Sequence, residues 1–197
     1  ADALKFTLGF MCAQGQDILI DKESFKLGSR FCNKVWNASR YLLGNLDGRS
    51  LVPVTDSDLT ELDKWIYGCL NRAVKTVRES LESYRYNDAA SAIMEYFWNE
   101  FCDWYVEATK INFKNGDDAE KDRQASVLLN LLEENLRLLH PYLPFVTEEI
   151  YSKLPVAEIV ENRKKAGKNK ILSNSEYCGM LINAPFPEIS SSREDSD

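Results

Sequence analysis

The stretch from Asp88 to about Phe113 is apolar on almost every side of a helix, and it constrains the fold more than any other part of the sequence. Its large apolar side chains are Ile93, Met94, Phe97, Trp98, Phe101, Cys102, Trp104, Tyr105 and Val106. A helix that is apolar all round is stable only where neighbouring helices cover it. The pattern therefore predicts a helix in the middle of a bundle, with Phe97 and Phe101 buried between at least two other helices.

Further stretches on both sides of this one have the 3.6-residue period of amphipathic helices. They are Ala1–Ala13, Ser24–Leu46, Thr55–Tyr84, Asp117–His140 and Val146–Leu154. Gly48 and Pro53 mark a loop, and the prolines after His140 end the helix before them. Because short connections between long helices make neighbours antiparallel, we predict an all-α fold, an antiparallel helix bundle over residues 1–155.

The chain changes character after residue 155. Residues 161–170 hold five cations and one acid, which predicts a solvated basic loop. Met180–Phe186 is a short apolar run, which indicates a strand or an extended segment that packs back on the bundle. We therefore expect residues 156–189 to form an irregular or β-like appendage and residues 190–197 to form a disordered tail.

The predicted helix Ser24–Leu46 carries a basic face. Its cations are Lys26, Arg30, Lys34 and Arg40, and it contains no acid, although the chain of 197 residues has a net charge of −7. Its apolar stripe consists of Phe31, Val35, Ala38 and Leu42, and a polar stripe one residue earlier consists of Arg30, Lys34, Asn37 and Tyr41. The acidic balance of the whole chain confines any nucleic-acid contact to this local face.

Two readings of the basic face are open. Cations bind phosphates, aromatic rings stack on unpaired bases and amides read base edges, so the face has the groups of a single-stranded nucleic-acid site. The alternative is a solvated helix face with Trp36 and Tyr41 packed into the core. In either case the polar edge of the central helix is expected to form salt bridges with neighbours or to orient the basic helix. That edge consists of Glu95, Asn99, Asp103 and Glu107.

The sequence contains no recognisable catalytic or metal site. The five cysteines are an odd number without a CxxC pair, which favours free thiols in a reducing cytoplasm over a zinc site or a disulfide framework. The single histidine, His140, stands where a helix stops, and we expect a helix-terminal cation or cap rather than an acid–base group. No apolar run approaches the length of a membrane span, so no membrane partner is expected.

Several segments together resemble the anticodon-binding domain of valyl-tRNA synthetases. They are ADALKFTL, GQDI, RFCNKVWNASRYLL, YRYNDAASAIMEYFWNEFCDWYVEATK and LLHPYLPFVTEEIYSKLP, and they cover roughly residues 1–155 in order. LINAPFPE is similar to the segment that rejoins this domain in the same enzymes. NEFCDWYVE is the specific segment, whereas the FCNKVWN and HPYLPFVTEEIY segments are shared loosely with isoleucyl- and leucyl-tRNA synthetases. The resemblance implies the helix-bundle fold of class I synthetase anticodon-binding domains.

The resemblance also implies which residues contact the anticodon. Lys34 matches a lysine that reads the anticodon, and Arg40 and Tyr41 match an Arg–aromatic pair whose ring is a stacking platform. Trp104 and Val106 lie in the segment that closes the pocket. Together with Arg30 and Asn37 from the polar stripe, these are the candidate site residues. Some family members have an upstream arginine where this chain has Glu23, and Lys22 and Lys26 are the nearby cations that could substitute for it.

The function implied by the resemblance is recognition of the valine tRNA anticodon loop. The parent enzyme attaches valine to its tRNA with ATP, and its catalytic and editing domains lie outside this chain, so we expect a non-catalytic fragment with no cofactor of its own. The expected partners are the tRNA and the remainder of the synthetase, not DNA. The alternatives are the same domain from an isoleucyl or leucyl enzyme, or a helical protein-interaction domain whose basic face binds an acidic partner.

Overall fold

The computed structural model describes residues 1–13, 15, 17, 20–21, 23–46, 48–167 and 179–193. The α-helices in this part of the chain are α1 (Asp2–Met11), α2 (Phe25–Leu46), α3 (Glu61–Glu82), α4 (Tyr86–Glu95), α5 (Glu107–Asn115), α6 (Asp118–Leu139), α7 (Pro144–Tyr151) and α8 (Val156–Ala166). Tyr96–Val106 is π-helical and joins α4 to α5 without a break. The described residues contain no strand, and the predicted all-α helix bundle is confirmed.

The helical rod from α4 through the π-helical stretch to α5 lies in the middle of the bundle. Phe97 and Phe101 are buried, the Phe97 ring packs edge-on against Phe31 of α2 with centroids 6.1 Å apart, and the rod also contacts α3. The central position predicted for it is therefore confirmed. The π-helical geometry was not predicted, because its i→i+5 hydrogen bonds leave an apolar pattern much like that of an α-helix when the surface is covered all round.

Helices α1 and α2 pack unusually closely at Gly28. A Cβ atom built on Gly28 would lie 2.2 Å from the carbonyl oxygen of Ala3 and 2.5 Å from Oγ1 of Thr7. Only a residue without a side chain permits this approach. The contact holds the Phe6 ring of α1 against the Phe31 ring of α2, with centroids 4.6 Å apart.

Helix α3 begins later than the sequence predicted. Its N-cap is Thr60, whose Oγ1 accepts a hydrogen bond from the Asp63 amide, while Asp56–Asp58 forms a separate 3₁₀ turn. The Asp63 carboxylate accepts from the Tyr105 hydroxyl at 2.5 Å and from Arg123 at 2.8 Å. Burial alone raises the pKa of this carboxyl, but the hydrogen bonds from Tyr105, Thr60 and Arg123 outweigh it and lower the pKa below the usual value.

Part of the predicted basic loop is helical. Residues up to Ala166 form α8, and residues 168–170 lie outside the described part of the chain. Arg163 was expected in solvent, but it is buried, with its guanidinium 2.9 Å from Glu133 and 2.5 Å from the side-chain oxygen of Asn130. A cation in a basic segment is therefore a core residue here, because α6 supplies the acid and the amide that satisfy it.

The C-terminal segment is tied to the bundle rather than disordered as far as Arg193. The Arg193 guanidinium donates to both carboxylate oxygens of Glu134, at 2.8 and 2.9 Å, and lies over the Tyr67 ring. Burial alone raises the pKa of the Glu134 carboxyl, but the Arg193 charge lowers it below the usual value. The prediction of a disordered tail is wrong for residues 190–193; residues 194–197 lie outside the described chain.

The segment before Arg193 packs back on the bundle without forming a strand. Leu181–Asn183 is a 3₁₀ turn, and its Leu181 and Ile182 amides donate to the Glu148 carboxylate. The guanidinium of Arg78 on α3 donates to the Pro187 carbonyl at 2.8 Å. Side chains of the bundle thus satisfy backbone groups that a sheet would otherwise satisfy.

His140 caps α6 as the sequence suggested, but not as a cation. Its Nδ1 lies 2.8 Å from Oγ1 of Thr147, and the Thr147 hydroxyl donates to the Leu143 carbonyl, so the imidazole donates to the hydroxyl. Burial lowers the pKa of His140 below its usual value. The neutral imidazole is therefore favoured, because the charged form loses hydration here.

Candidate nucleic-acid interface

Helix α2 presents one face to the core and the opposite face to solvent. Phe31, Val35 and Leu42 are buried, as predicted, and Ser39 rather than Ala38 completes the buried stripe. The exposed face carries four of the candidate site residues, Arg30, Asn37, Arg40 and Tyr41. The structure thus brings cations, an amide and an aromatic ring together on one accessible surface.

The two aromatic residues of this face are not packed into the core. Trp36 is 36% exposed and Tyr41 is 38% exposed. The alternative in which both rings are core residues is therefore wrong. An aromatic ring that stays accessible on a basic helix has a face available for a planar ligand.

Lys34 stands at the edge of the exposed face that borders the central rod. Its ammonium lies 2.6 Å from a carboxylate oxygen of Asp103 and 5.3 Å from the centroid of the Trp98 ring. The Lys34 side chain is 27% exposed and that of Asp103 is 50% exposed. The predicted salt bridge from the polar edge of the rod to the basic helix is thus present, and it fixes where the Lys34 ammonium sits.

Tyr41 has a cation over its ring that sequence reasoning missed. The ammonium of Lys110, on α5, lies 5.0 Å from the ring centroid and 2.6 Å from the Glu107 carboxylate. This hydrogen bond raises the pKa of Lys110. The only signal in the sequence was an ordinary Glu–Lys pair three residues apart, which does not indicate the ring of another helix.

The two candidate residues on the central rod lie in different environments. Trp104 is 71% exposed, next to Asp103 and on the surface of the bundle, whereas Val106 is 5% exposed and belongs to the core. Trp104 is therefore accessible to a ligand, and it follows Asp103, whose carboxylate contacts Lys34. Val106 is not, and it can influence the site only by supporting the residues around it.

The candidates for replacing the missing upstream arginine are only partly described. The Lys26 ammonium lies 2.5 Å from the Glu23 carboxylate, and both side chains are largely exposed. Glu23 therefore offsets the nearest cation. Lys22 lies outside the described residues.

The described residues offer little support for three other kinds of site: a reactive thiol at this face, a metal site and a membrane-spanning helix. Burial raises the pKa of the Cys32 thiol to about 11 and that of the Cys102 thiol to about 12, so both are protonated and unreactive at neutral pH. Within the described ranges no group of three or more His, Cys, Asp or Glu residues is arranged to hold a metal ion. No helix in the same ranges has the length and apolarity needed to cross a membrane.

Comparison with protein families identifies most of the chain. Residues 63–196 match the family described as the anticodon-binding domain of tRNA ligase. The match begins at Asp63 in α3 and so includes the central rod and α6, but not the basic helix α2.

Proteins named valine–tRNA ligase align with nearly all of the chain, including α2. The Treponema denticola protein is 69% identical over 182 residues, which are 90% of this chain. The Treponema pallidum protein is 58% identical over 196 residues, the full length of this chain, and the Thermotoga maritima protein is 45% identical over 157 residues, or 80% of the chain. The chain spans only about a fifth of the length of these relatives, 20%, 20% and 18% respectively.

Solved structures share the fold at low sequence identity. The Agrobacterium radiobacter K84 LeuRS in its ternary complex with tRNA and LeuAMS superposes with a TM-score of 0.61 at 19% identity, covering 98% of this chain and 20% of that one. The apo methionyl-tRNA synthetase of Mycobacterium tuberculosis gives a TM-score of 0.64 at 18% identity, covering 95% of this chain and 39% of that one. Both likenesses concern the fold alone.

Proposed function

This chain belongs to the anticodon-binding domain family of tRNA ligases, and from that premise we propose that it recognises the anticodon loop of valine tRNA as one part of a valine–tRNA ligase. The observation that carries the proposal is the exposed face of α2. That face presents Arg30, Asn37, Arg40 and Tyr41 in one surface, with Lys34 at its edge.

Each group on this face has a role in binding an unpaired loop. Arg30 and Arg40 bind phosphates, because guanidinium groups match phosphate geometry. Tyr41 is a platform on which a flipped-out base stacks. Lys34 and Asn37 donate to acceptors on base edges and so make binding depend on sequence. Trp104 extends the aromatic surface on the side of the central rod.

The choice of valine tRNA rests on the relatives. Proteins named valine–tRNA ligase match this chain at 58–69% identity over 90–100% of its length. In our proposal the parent enzyme attaches valine to its tRNA with ATP in domains outside this chain. The part described here holds no cofactor, catalyses nothing by itself and has the rest of the synthetase and the tRNA as partners, not DNA. The free thiols of Cys12, Cys32, Cys69 and Cys102 support a reducing cytoplasm as its setting.

The test is direct binding of a valine anticodon stem-loop RNA to the 197-residue chain. The controls are a stem-loop with a scrambled loop of equal length and stem-loops with isoleucine and leucine anticodons. We expect binding that is micromolar or weaker, on the order of −8 kcal/mol or less in magnitude, and strongest for the valine loop. Equal binding of all loops, or strongest binding of the isoleucine or leucine loop, contradicts the assignment to valine. No binding of any RNA leaves a protein-interaction domain as the function.

A further inference from the structure

The ring of Tyr41 is covered on one face by a cation that its own helix does not supply. The Lys110 ammonium lies 5.0 Å from the ring centroid, and the Glu107 carboxylate holds it there at 2.6 Å. The side chains of Lys110 and Glu107 are 43% and 59% exposed. One face of the ring proposed for base stacking is thus occupied by a side chain that is itself accessible to RNA.

The same arrangement occurs at Lys34. There the acid is Asp103 and the ring is Trp98, with distances of 2.6 and 5.3 Å. Tyr41 is seven positions after Lys34 and Lys110 is seven positions after Asp103, so α2 and the rod run side by side in the same direction here. The rod therefore places one acid beside each of two lysines along the edge of the basic face.

The pair formed by Lys110 and Glu107 is easily exchanged. A surface ion pair between residues three apart on a helix contributes little to stability, since water competes for both groups. A backbone phosphate carries the same single charge as the carboxylate, offers two non-bridging acceptor oxygens, and arrives with the base that stacks on the ring. A nucleotide on Tyr41 therefore brings a competing anion to within reach of the ammonium.

We propose that Lys110 is a further RNA-binding residue, whose ammonium leaves Glu107 for a phosphate of the loop when a base stacks on Tyr41. This inference rests on the proposed function, since it concerns the same site. Glu107 has two effects in this proposal. It keeps the ammonium at the platform in the free protein, and it competes with the phosphate when RNA binds.

The chain contains a matched control pair. Lys64 and Glu61 on α3 form an ion pair with the same spacing of three residues at 2.8 Å, and the Lys64 side chain is 44% exposed. Removing either lysine changes the net charge equally and breaks an equivalent pair. Only Lys110 stands over the ring of Tyr41, so any difference between the two variants comes from position.

The experiment measures binding of the valine stem-loop as a function of salt for Lys110→Ala, Lys64→Ala and the unchanged chain. One phosphate contact to a single-stranded loop contributes about 0.7 to the slope of log affinity against log salt. We expect Lys110→Ala to weaken binding and to reduce the slope by about that amount, and Lys64→Ala to change neither. Thermal melts of each variant check that the fold is retained.

A double-mutant cycle tests the exchange itself. Glu107→Gln removes the competing charge. We expect this substitution to strengthen binding of the stem-loop when Lys110 is present, but not in the Lys110→Ala background. If Glu107→Gln strengthens binding equally without Lys110, Glu107 simply repels RNA. That result would contradict the proposed exchange of Glu107 for a phosphate.

The outcomes separate the inference from the proposed function. If Lys110→Ala behaves like Lys64→Ala while the unchanged chain still prefers the valine loop, the inference is wrong and the proposed function stands. If the unchanged chain does not bind the loop at all, both are wrong.

Discussion

The Lys34 ammonium and the Asp103 carboxylate lie 2.6 Å apart across the boundary between α2 and the π-helical part of the central rod. An ammonium has three donors, and Asp103 takes one of them. The remaining donors belong to an ammonium that Asp103 and the Trp98 ring hold beside the rod, on a side chain that is only 27% exposed. A base edge with a suitable acceptor therefore meets a preorganised donor rather than a freely moving lysine.

Lys34→Ala is expected to narrow discrimination between anticodon loops. The lysine donates to acceptors that differ from base to base. Its loss should therefore weaken binding of the valine loop more than binding of a non-valine loop. The measurement is the ratio of the two dissociation constants for the unchanged chain and the variant. If both affinity and discrimination stay unchanged, the sequence-reading pocket does not include this face.

Tyr41→Ala is expected to weaken the binding of all anticodon loops by similar factors. Stacking on an aromatic side chain contributes about 1–3 kcal/mol per base and tolerates any base. The same pair of dissociation constants should therefore rise together, with their ratio preserved. Since Tyr41 is 38% exposed, its loss should lower the thermal midpoint less than the loss of the fully buried Phe101 does, and an equal fall would mean that the ring is chiefly a packing residue.

Binding of the valine stem-loop is expected to weaken as salt rises. The α2 face carries four cations and no acid, and three or four phosphate contacts to a single-stranded loop give a slope of roughly −2 to −3 in a plot of log affinity against log salt. Titrations at several salt concentrations measure this slope. A flat response would exclude the basic face from the binding surface.

Phe101→Ala is expected to lower the free energy of unfolding by about 3–5 kcal/mol, through the lost transfer free energy and the cavity left behind. Phe101 is fully buried in the central rod, whereas Phe145 on α7 is 68% exposed. Phe145→Ala is the matched control and should change stability by no more than about 0.5 kcal/mol. Chemical denaturation measures both; equal losses would contradict the central placement of the rod.

Two glycines of α2 should respond oppositely to alanine. Gly28→Ala forces a methyl group against the Ala3 carbonyl and should destabilise the fold by about 1–3 kcal/mol, since the clash is with backbone. Gly44 has no atom within 4 Å of its built Cβ, so Gly44→Ala should stabilise the helix by up to about 1 kcal/mol. Denaturation midpoints measure both, and a stabilising Gly28→Ala would mean that α1 does not pack against α2 at this point.

His140 should make stability depend on pH in the weakly acidic range. Burial lowers its pKa below the usual 6.5, so between the lowered value and 6.5 the unfolded chain binds more protons than the folded chain. The free energy of unfolding should therefore fall as pH decreases through this window. Because the chain has one histidine, His140→Gln should remove this component, and identical pH profiles for both proteins would contradict it.

The sequence by itself determined which side of the basic helix α2 is apolar. Periodicity assigns a residue to a face of its own helix, and that is a local property. Phe31, Val35 and Leu42 were therefore placed correctly in the core. The same periodicity put Arg30 and Asn37 in a separate polar stripe, and the structure places both on the exposed face.

Some residues were wrongly predicted to be exposed, because their burial depends on partners that are distant in the sequence. Arg163 and Arg193 lie in polar segments that predicted solvent exposure, yet both are buried against acids of α6. A buried charge is stable only when it is paired and hydrogen-bonded. The partners, Glu133 and Glu134, are 30 and 59 residues away from their arginines, and no local pattern encodes that distance.

The chemistry at the edge of the basic face was decided by tertiary structure alone. Asp103 lies 69 residues after Lys34, and the two meet only because the central rod packs alongside α2 in the same direction. The same packing puts Lys110 over Tyr41. Helical periodicity says toward which side a residue points, but contact between two helices depends on their relative shift and rotation, which the whole core sets by close packing.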